Sequence, residues 1–472
     1  MITSTPLPYS ADAVTYFAAI NDLPWAIWLD SGGRDRYDIL CAQPVATLLT
    51  HGASTAISDA LGSRISNDDP FDLLRQMRDS KINAAPDCGH MDDIPFTGGA
   101  LGYWGYDLAR RYVALPSKAQ DAPAQDDSHL PDMAIGIYDW AIVLDHHQHT
   151  AQLVSQHRHP DTAQRLPQII ERLRNNKTTT QKNNKTTPQA AFNVQGRIDS
   201  NFNRVTYETA FNVAQQYLRD GDCYQVNLAQ RYVATATGDA LEAYLALRQL
   251  SPSPYSAFMN LPQLQILCAS PECFLKVHNG LVETKPIKGT RPRAVNPLQD
   301  ERMANELQQS EKDRAENLMI VDLLRNDLGK SCVPGSVQVP KLFEIESFAQ
   351  VHHLVSTVTG KLAPNQDAIS LLKNCFPGGS ITGAPKQRAM QIIEQIEPNR
   401  RGIYCGTIGY IGYDGNMQTN IVIRTLIYAQ GKIRYWAGGG IVADSKVGAE
   451  YQETLDKTSA MLKLLQRFGA TP

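Results

Sequence analysis

Two pairs of carboxylates and one lysine are the residues whose types and spacing invite chemistry. Asp313 and Glu316 lie three apart in a stretch with helical patterning, and Glu450 and Glu453 repeat the interval near the C-terminus. At that spacing both side chains of a pair leave the same helix face. Carboxylates from two helices suit a hard divalent cation that keeps part of its water, which means Mg²⁺ rather than zinc. Either pair alone would ordinarily be a solvated helix face. The lysine is Lys288, in Glu283-Thr-Lys-Pro-Ile-Lys-Gly-Thr-Arg-Pro-Arg293. Pro286 restricts the backbone before it, and Gly289 lets a ligand approach main-chain amides. Buried among suitable neighbours, such a lysine gives up its proton and becomes a nucleophile. Alone, a Lys-Gly-Thr turn is ordinarily solvated.

Anion donors surround these groups in the sequence. Phe376-Pro-Gly-Gly-Ser-Ile-Thr-Gly-Ala-Pro-Lys386 ends on a proline that can open a helix, and a helix start is an anion site. Trp436-Ala-Gly-Gly-Gly-Ile-Val442 runs into the Glu450 helix. Arg424 is a charge on an apolar strand pattern, costly to bury without an anion. Lys457 lies one turn beyond Glu453 on the same face. A cation site, anion donors and one positioned lysine suit a small substrate with more than one carboxylate.

The elements that must position these residues belong to an ordinary soluble globular chain. Of 472 residues, 42% are hydrophobic and 20% charged, and the net charge is −3. That charge gives no case for nucleic acid or anionic membrane. No apolar run approaches the roughly 18 residues of a membrane span, and Met1-Ile-Thr-Ser-Thr-Pro does not resemble a signal peptide. Eight cysteines at 41, 88, 223, 268, 273, 332, 375 and 405 form no Cys-x-x-C pair. They read as free thiols in a reducing cytoplasm, the expected location.

Strand patterns cover 25–31, 37–42 and 133–145, with Phe96 to Asp107 between them as a glycine-rich packing turn. His146, His147, His149, His157 and His159 crowd a hairpin that reads as solvated. Residues 174–190 are low-complexity, so the expected division is a sheet-rich region 1–173, a linker or surface loop 174–199, and a catalytic region 200–472. Beyond 200, helices are expected at 204–220, 239–250, 297–327, 366–375, 385–396 and 446–468. Strands are expected at 223–233, 255–260, 265–269, 272–278, 281–285, 336–346, 352–361, 403–413, 418–429 and 432–439. Runs of strands broken by single helices argue for an α+β fold rather than a doubly wound sheet.

On its longer motifs the chain resembles the chorismate-utilising enzymes, and most closely their aminodeoxychorismate synthase component I group. The motifs are Ser270-Pro-Glu, Pro286-Ile-Lys-Gly-Thr, Asp313-Arg-Ala-Glu-Asn, Val321-Asp-Leu-Leu-Arg-Asn-Asp-Leu-Gly, His352-His-Leu, Gly379-Ser-Ile-Thr-Gly-Ala-Pro-Lys, Ile423-Arg-Thr and Ala437-Gly-Gly-Gly-Ile-Val-Ala-Asp-Ser. The resemblance implies an anthranilate synthase component I-like fold, large antiparallel sheets in a β-sandwich flanked by helices. It implies Glu316 and Glu453 as direct Mg²⁺ ligands, supported by Asp313 and Glu450. Thr290, Tyr404, Arg424, Gly438, Gly440 and Lys457 match positions that hold the substrate, with His353 and Thr382 near its ring. Glu272 matches the family's general acid–base carboxylate.

Two positions separate members of that family. Anthranilate synthases have alanine where this chain has Lys288, and isochorismate and salicylate synthases have a water-activating lysine where it has Gln225. Both differences imply a Lys288 adduct and a 4-amino product. The ammonia would come from glutamine through a separate glutaminase subunit, in a pathway toward 4-aminobenzoate and folate. Rival readings are an anthranilate synthase component and a non-catalytic chorismate-binding subunit. In feedback-regulated relatives the segment matching Leu29-Asp-Ser31 lies near a small aromatic ligand, and the sequence alone decides neither binding nor regulation here.

Overall fold

The structure, a computed structural model, describes residues 2–80, 94–116, 129–179, 191–348 and 351–471. Among these residues the frame is two large antiparallel sheets, each with twelve strands. The first runs Thr3–Leu7, Thr150–Ser155, Trp140–Asp145, Tyr37–Cys41, Ala26–Asp30, Tyr255–Leu261, Leu264–Ser270, Thr425–Ala429, Lys432–Ile441, Gln225–Thr237, Asn193–Ser200, with Gly383–Ala384 also on Gln225–Thr237. The second runs Ile287–Pro292, Val351–Lys361, Leu281–Thr284, Cys273–His278, Met417–Asn420, Thr407–Gly412, Gly99–Trp104, Met133–Tyr138, Ala46–His51, Ser54–Asp59, Gly62–Ser66, with Gln338–Ser347 also on Val351–Lys361. With its flanking helices this is the expected α+β architecture.

Alternation along the strands sorts the core. Ile27, Ile39, Met259 and Ile266 pack with Leu101, Tyr103 and Ile135 of the second sheet. Their neighbours Trp28, Leu40, Phe258 and Leu267 turn the other way, against Phe17, Tyr244, Leu247, Met461 and Leu464 of the helices. The first sheet is therefore buried on both faces, which explains its near-continuous apolar runs. Gly102 serves close packing, since a Cβ there would lie 2.1 Å from the Ala134 carbonyl.

The division expected between 173 and 200 does not separate the sheets, because strands from both sides of it pair within each one. Composition misled at the linker's ends: helix Thr162–Thr179 runs into it, and strand Asn193–Ser200 pairs out of it. Residues 180–190, like Cys88, lie outside the described residues.

Three expected elements are split. The run 133–145 is two strands, Met133–Tyr138 in the second sheet and Trp140–Asp145 in the first. Buried Asp139 makes the corner by accepting from the amides of Arg158 and His159 and the Thr162 hydroxyl. The expected helix 297–327 is Pro297–Gln309 and Glu311–Gly329, broken at Ser310, whose hydroxyl caps the second at the Asp313 amide. Strand 418–429 divides into Met417–Asn420 and Thr425–Ala429, again in different sheets. At the histidine-rich hairpin, His147 and His149 are exposed, whereas His146 turns in to Asp38 at 3.2 Å. Among the described residues no helix is long and apolar enough to cross a membrane.

Candidate active site

Two places where the chain leaves one sheet for the other lie side by side. Leu264–Ser270 passes through Pro271 and Glu272 into Cys273–His278, and Met417–Asn420 passes through 421–424 into Thr425–Ala429. The Ser270 hydroxyl donates to the Ile421 carbonyl at 2.6 Å, and the Ile421 amide donates to the Glu272 carbonyl at 3.0 Å. These crossings put Glu272 and Arg424 on one cavity of about 780 Å³.

Glu272 is buried, with Oε1 accepting a 2.7 Å hydrogen bond from the Ser380 hydroxyl. Burial pushes its carboxyl above the usual range, more than that hydrogen bond and the charges of Lys288 and Arg424 pull it down. A carboxyl raised in this way holds its proton more readily than a solvated one, the property a general acid needs.

Lys288 enters from strand Ile287–Pro292, whose register on Val351–Lys361 breaks between Lys288 and Thr290. The extra residue is Gly289, at φ +73°, where a Cβ would lie 2.7 Å from Leu307 Cδ1. Lys288 Nζ donates to the Ser380 carbonyl at 3.3 Å. Desolvation lowers its pKa, and Lys457 adds to this, against the opposite pull of Glu316, Glu272 and Glu453. Thr290 Oγ1 and His353 Nδ1 are 2.9 Å apart. Burial, with help from Arg424, brings His353 down to about 4, so its imidazole is neutral.

The carboxylate pairs face the same cavity from two helices, Asp313 and Glu316 on Glu311–Gly329 and Glu450 and Glu453 on Val447–Arg467. Gly439 lies between the last two, a Cβ there being 3.2 Å from Glu453 Oε1 and 3.3 Å from Glu450 Oε2. Burial raises the Glu316 and Glu450 carboxyls, and neighbouring carboxylates add repulsion. Each carboxylate has its own protein partner. Arg291 holds Asp313 at 3.1 Å, Lys312 reaches Glu316 at 3.8 Å, Ser445 donates to Glu450 at 2.6 Å, and Lys457 holds Glu453 at 2.6 Å. Among the described residues no three such groups are gathered at coordinating distance. Mutually repelling oxygen donors around one polar cavity nonetheless fit a hard divalent cation.

On the substrate side, Arg424 is half-buried at φ +51°, before its strand rather than on it. Desolvation lowers its pKa, and among the described residues no ion pair holds its guanidinium. Tyr404 stacks on Trp436 at 5.9 Å between centroids and 9° between planes. Gly438, Gly440 and Lys457 also line the cavity, and the Gly438 carbonyl accepts from Lys457 Nζ at 2.9 Å.

The glycine loop before Lys386 differs from its expected role. Gly383 and Ala384 pair with Val226 and Gln225, and Asn227 donates to the Thr382 carbonyl, so the loop is tied into the first sheet. Thr382 is fully buried beneath the cavity wall, its hydroxyl donated to the Gly378 and Gly379 carbonyls. The structure does not bring it to the cavity with the other named residues.

Residues that spacing did not single out brace the walls. Arg401 and Glu397 form a fully buried pair at 2.6 Å. Arg401 also donates to the Ile381 carbonyl at 2.8 Å and to the Asn227 carbonyl at 3.2 Å, while Glu397 accepts from the Ala229 amide. Their i,i+4 spacing was the available signal, and it reads as a surface pair until burial is known. Gln225 lies under Gly440, fully buried, with neither amide atom hydrogen-bonded.

Comparison with known proteins places nearly the whole chain in a family. Residues 25–463 match the family described as chorismate binding enzyme. The chain is 48% identical over 456 residues to aminodeoxychorismate synthase component 1 of Escherichia coli (strain K12), covering 96% of each protein. It is 35% identical over 452 residues to anthranilate synthase component 1 of Thermus thermophilus, covering 96% of this chain and 94% of the relative. Its fold is similar to the crystal structure of anthranilate synthase component I from Streptococcus pneumoniae TIGR4, with a TM-score of 0.77 and 32% identity over 90% of this chain and 92% of that one. With the match spanning both sheets and every wall of the cavity, the chain belongs to the chorismate binding enzyme family.

Proposed function

We propose that this chain is the synthase component of an aminodeoxychorismate synthase, converting chorismate and ammonia to 4-amino-4-deoxychorismate and water. The observation that carries the reading is Lys288, a desolvated amine in the cavity wall, held by the residue that also holds Glu272. Relatives bearing that component's name are 46–48% identical over nearly the whole chain.

In this reading Arg424 and the amides of the Gly438 and Gly440 segment take the substrate's carboxylates, and the stacked pair Tyr404 and Trp436 faces its ring from one side. Lys288, as neutral amine, attacks ring C2; the ring double bonds shift and the C4–O bond breaks. The departing hydroxyl takes its proton from Glu272 and leaves as water. Ammonia then adds at C4, the double bonds shift back, and the C2–N bond breaks to release Lys288 as the amine. Glu272 recovers its proton from the new C4 ammonium. Splitting the displacement in this way replaces one hard step with two easier ones. Glu316 and Glu453, with Asp313 and Glu450 behind them, would hold a magnesium ion, which supplies neutralisation of the substrate's ring carboxylate when bound.

Ammonia is delivered by a separate glutaminase subunit in the cytoplasm, consistent with relatives named as a component 1. The test is product identification with chorismate, ammonium and Mg²⁺. Chromatography should give 4-amino-4-deoxychorismate; anthranilate or unchanged chorismate overturns the assignment. Acid quench and mass spectrometry should place an adduct on Lys288, absent in Lys288→Ala; an adduct on another lysine removes Lys288 from its role.

A further inference from the structure

One residue touches both reacting groups. Ser380 lies in the one-turn segment Gly379–Ile381 and is buried at 8% exposure. Its hydroxyl donates to Glu272 Oε1 at 2.7 Å, and its carbonyl accepts from Lys288 Nζ at 3.3 Å. Acid and nucleophile are thus referenced to a single backbone position. That position is itself fixed: the Gly379 carbonyl accepts from the Thr382 amide, and the next carbonyl, of Ile381, accepts from buried Arg401.

We propose that Ser380 is a positioning residue for the amination, fixing the acid proton on Glu272 Oε2 and holding Lys288 through one of its N–H bonds. The proposal rests on the roles given above to Lys288 and Glu272. Oε1 accepts the Ser380 hydroxyl hydrogen, and a carbonyl-type oxygen accepts better than a protonated one, so that hydrogen bond favours the proton on Oε2. As the C4–O bond breaks, the Oε2–H bond breaks and its hydrogen leaves in water, and the negative charge left on the carboxylate is shared with Oε1. The Ser380 hydrogen bond changes then from neutral to charge-assisted, which roughly doubles its strength. It therefore favours the transition state over the bound substrate, which is the condition for raising kcat. The Lys288 contact acts differently: it comes from the main chain and survives any change of the Ser380 side chain.

That separation gives the test. In Ser380→Ala, kcat should fall about tenfold, the difference between a neutral and a charged hydrogen bond, with KM for chorismate within about twofold. Glu272 is faced by Lys288, Arg424, the Ser380 hydroxyl and the Ile287 amide, and only the hydroxyl is removed. Losing a donor that favours the carboxylate raises the acid's pKa, so the high-pH limb of the kcat profile should move to higher pH. Ser380→Cys, close in volume but a weaker donor, should fall between, and it serves where the alanine variant does not fold. A wild-type kcat and pH limb in either variant overturns the proposal, as does a loss confined to KM. If wild-type protein makes no 4-amino-4-deoxychorismate, the underlying assignment fails instead, which keeps the two failures distinct.

Discussion

A Cβ on Gly289 would lie 2.9 Å from the carboxyl carbon of Asp313. The residue next to the proposed nucleophile is therefore packed against the proposed cation site, and at φ +73° it occupies backbone space that other residues avoid. Gly289→Ala should cost about 1–3 kcal/mol in urea unfolding and also lower kcat, because Asp313 or the Lys288 bulge must shift. A variant with unchanged stability and activity would show that this contact is not tight.

Arg424 should act through substrate affinity. Hydrogen bonds to charged groups contribute about 1.5–3 kcal/mol, so Arg424→Ala should weaken chorismate binding about 10- to 150-fold. Arg424→Lys should recover only part of this, since a point charge cannot reproduce a planar fork. Equilibrium binding measures it, and equal affinity in all three proteins would place the carboxylates elsewhere.

Arg401 should act through stability. Removing one partner of a buried ion pair costs about 3–5 kcal/mol, because the other charge is stranded. Arg401→Met leaves Glu397 in that state, and thermal unfolding should show the loss. Replacing both residues by methionine should restore part of it. A surface-like change below about 1 kcal/mol would contradict the burial seen here.

His353 gives a pH dependence with a definite sign. The folded state holds it at about 4, whereas the unfolded chain binds the proton near the ordinary value of 6.5. Stability from this group is full above 6.5 and falls as pH drops toward 4, by an amount on the order of 3 kcal/mol. His353→Gln should flatten that slope in urea unfolding between pH 7 and pH 4.5. An unchanged slope would mean that His353 titrates normally.

The acidic pairs should set cation affinity. In calorimetric titration with MgCl₂, Glu450→Gln should weaken binding about 10- to 100-fold, as supporting groups around a metal do. Glu453→Gln should weaken it further, and wild-type affinity in both would move the cation from this cavity.

Much of the site was legible because its residues follow local rules. The intervals Asp313 to Glu316 and Glu450 to Glu453 need only a helix to share a face, and both helices form. Lys288 is marked by its neighbours in the chain, and Gly289, expected to open main-chain amides to a ligand, forms a bulge packed against Leu307 and Asp313. Ser380 and the Arg401–Glu397 pair were not legible, since their roles depend on contacts of high sequence separation: Ser380 meets Glu272 across 108 residues.

In the fold, strand character was readable but sheet membership was not. Met133 to Asp145 has one continuous apolar pattern, and only the buried acceptor Asp139 sends its halves to different sheets. Arg424 reads as a strand residue for the same reason, because the pattern runs through the corner that exposes it to the cavity. Thr382 sits in a loop rich in glycine, which suggests open amides; pairing with Gln225 and Val226 closes it.

The interleaving of the two sheets decides what can be cut away. Ala26–Asp30 fills the place between Tyr37–Cys41 and Tyr255–Leu261, and Gly99–Trp104 fills the place between Thr407–Gly412 and Met133–Tyr138. A fragment beginning near residue 200 would keep the proposed catalytic residues yet leave Tyr255–Leu261 and Thr407–Gly412 as bare apolar edges. Such edges recruit other chains, so the fragment should aggregate rather than turn over substrate. Supplying residues 1–173 as a separate chain should restore solubility and activity together, as complementation between two halves of one lattice.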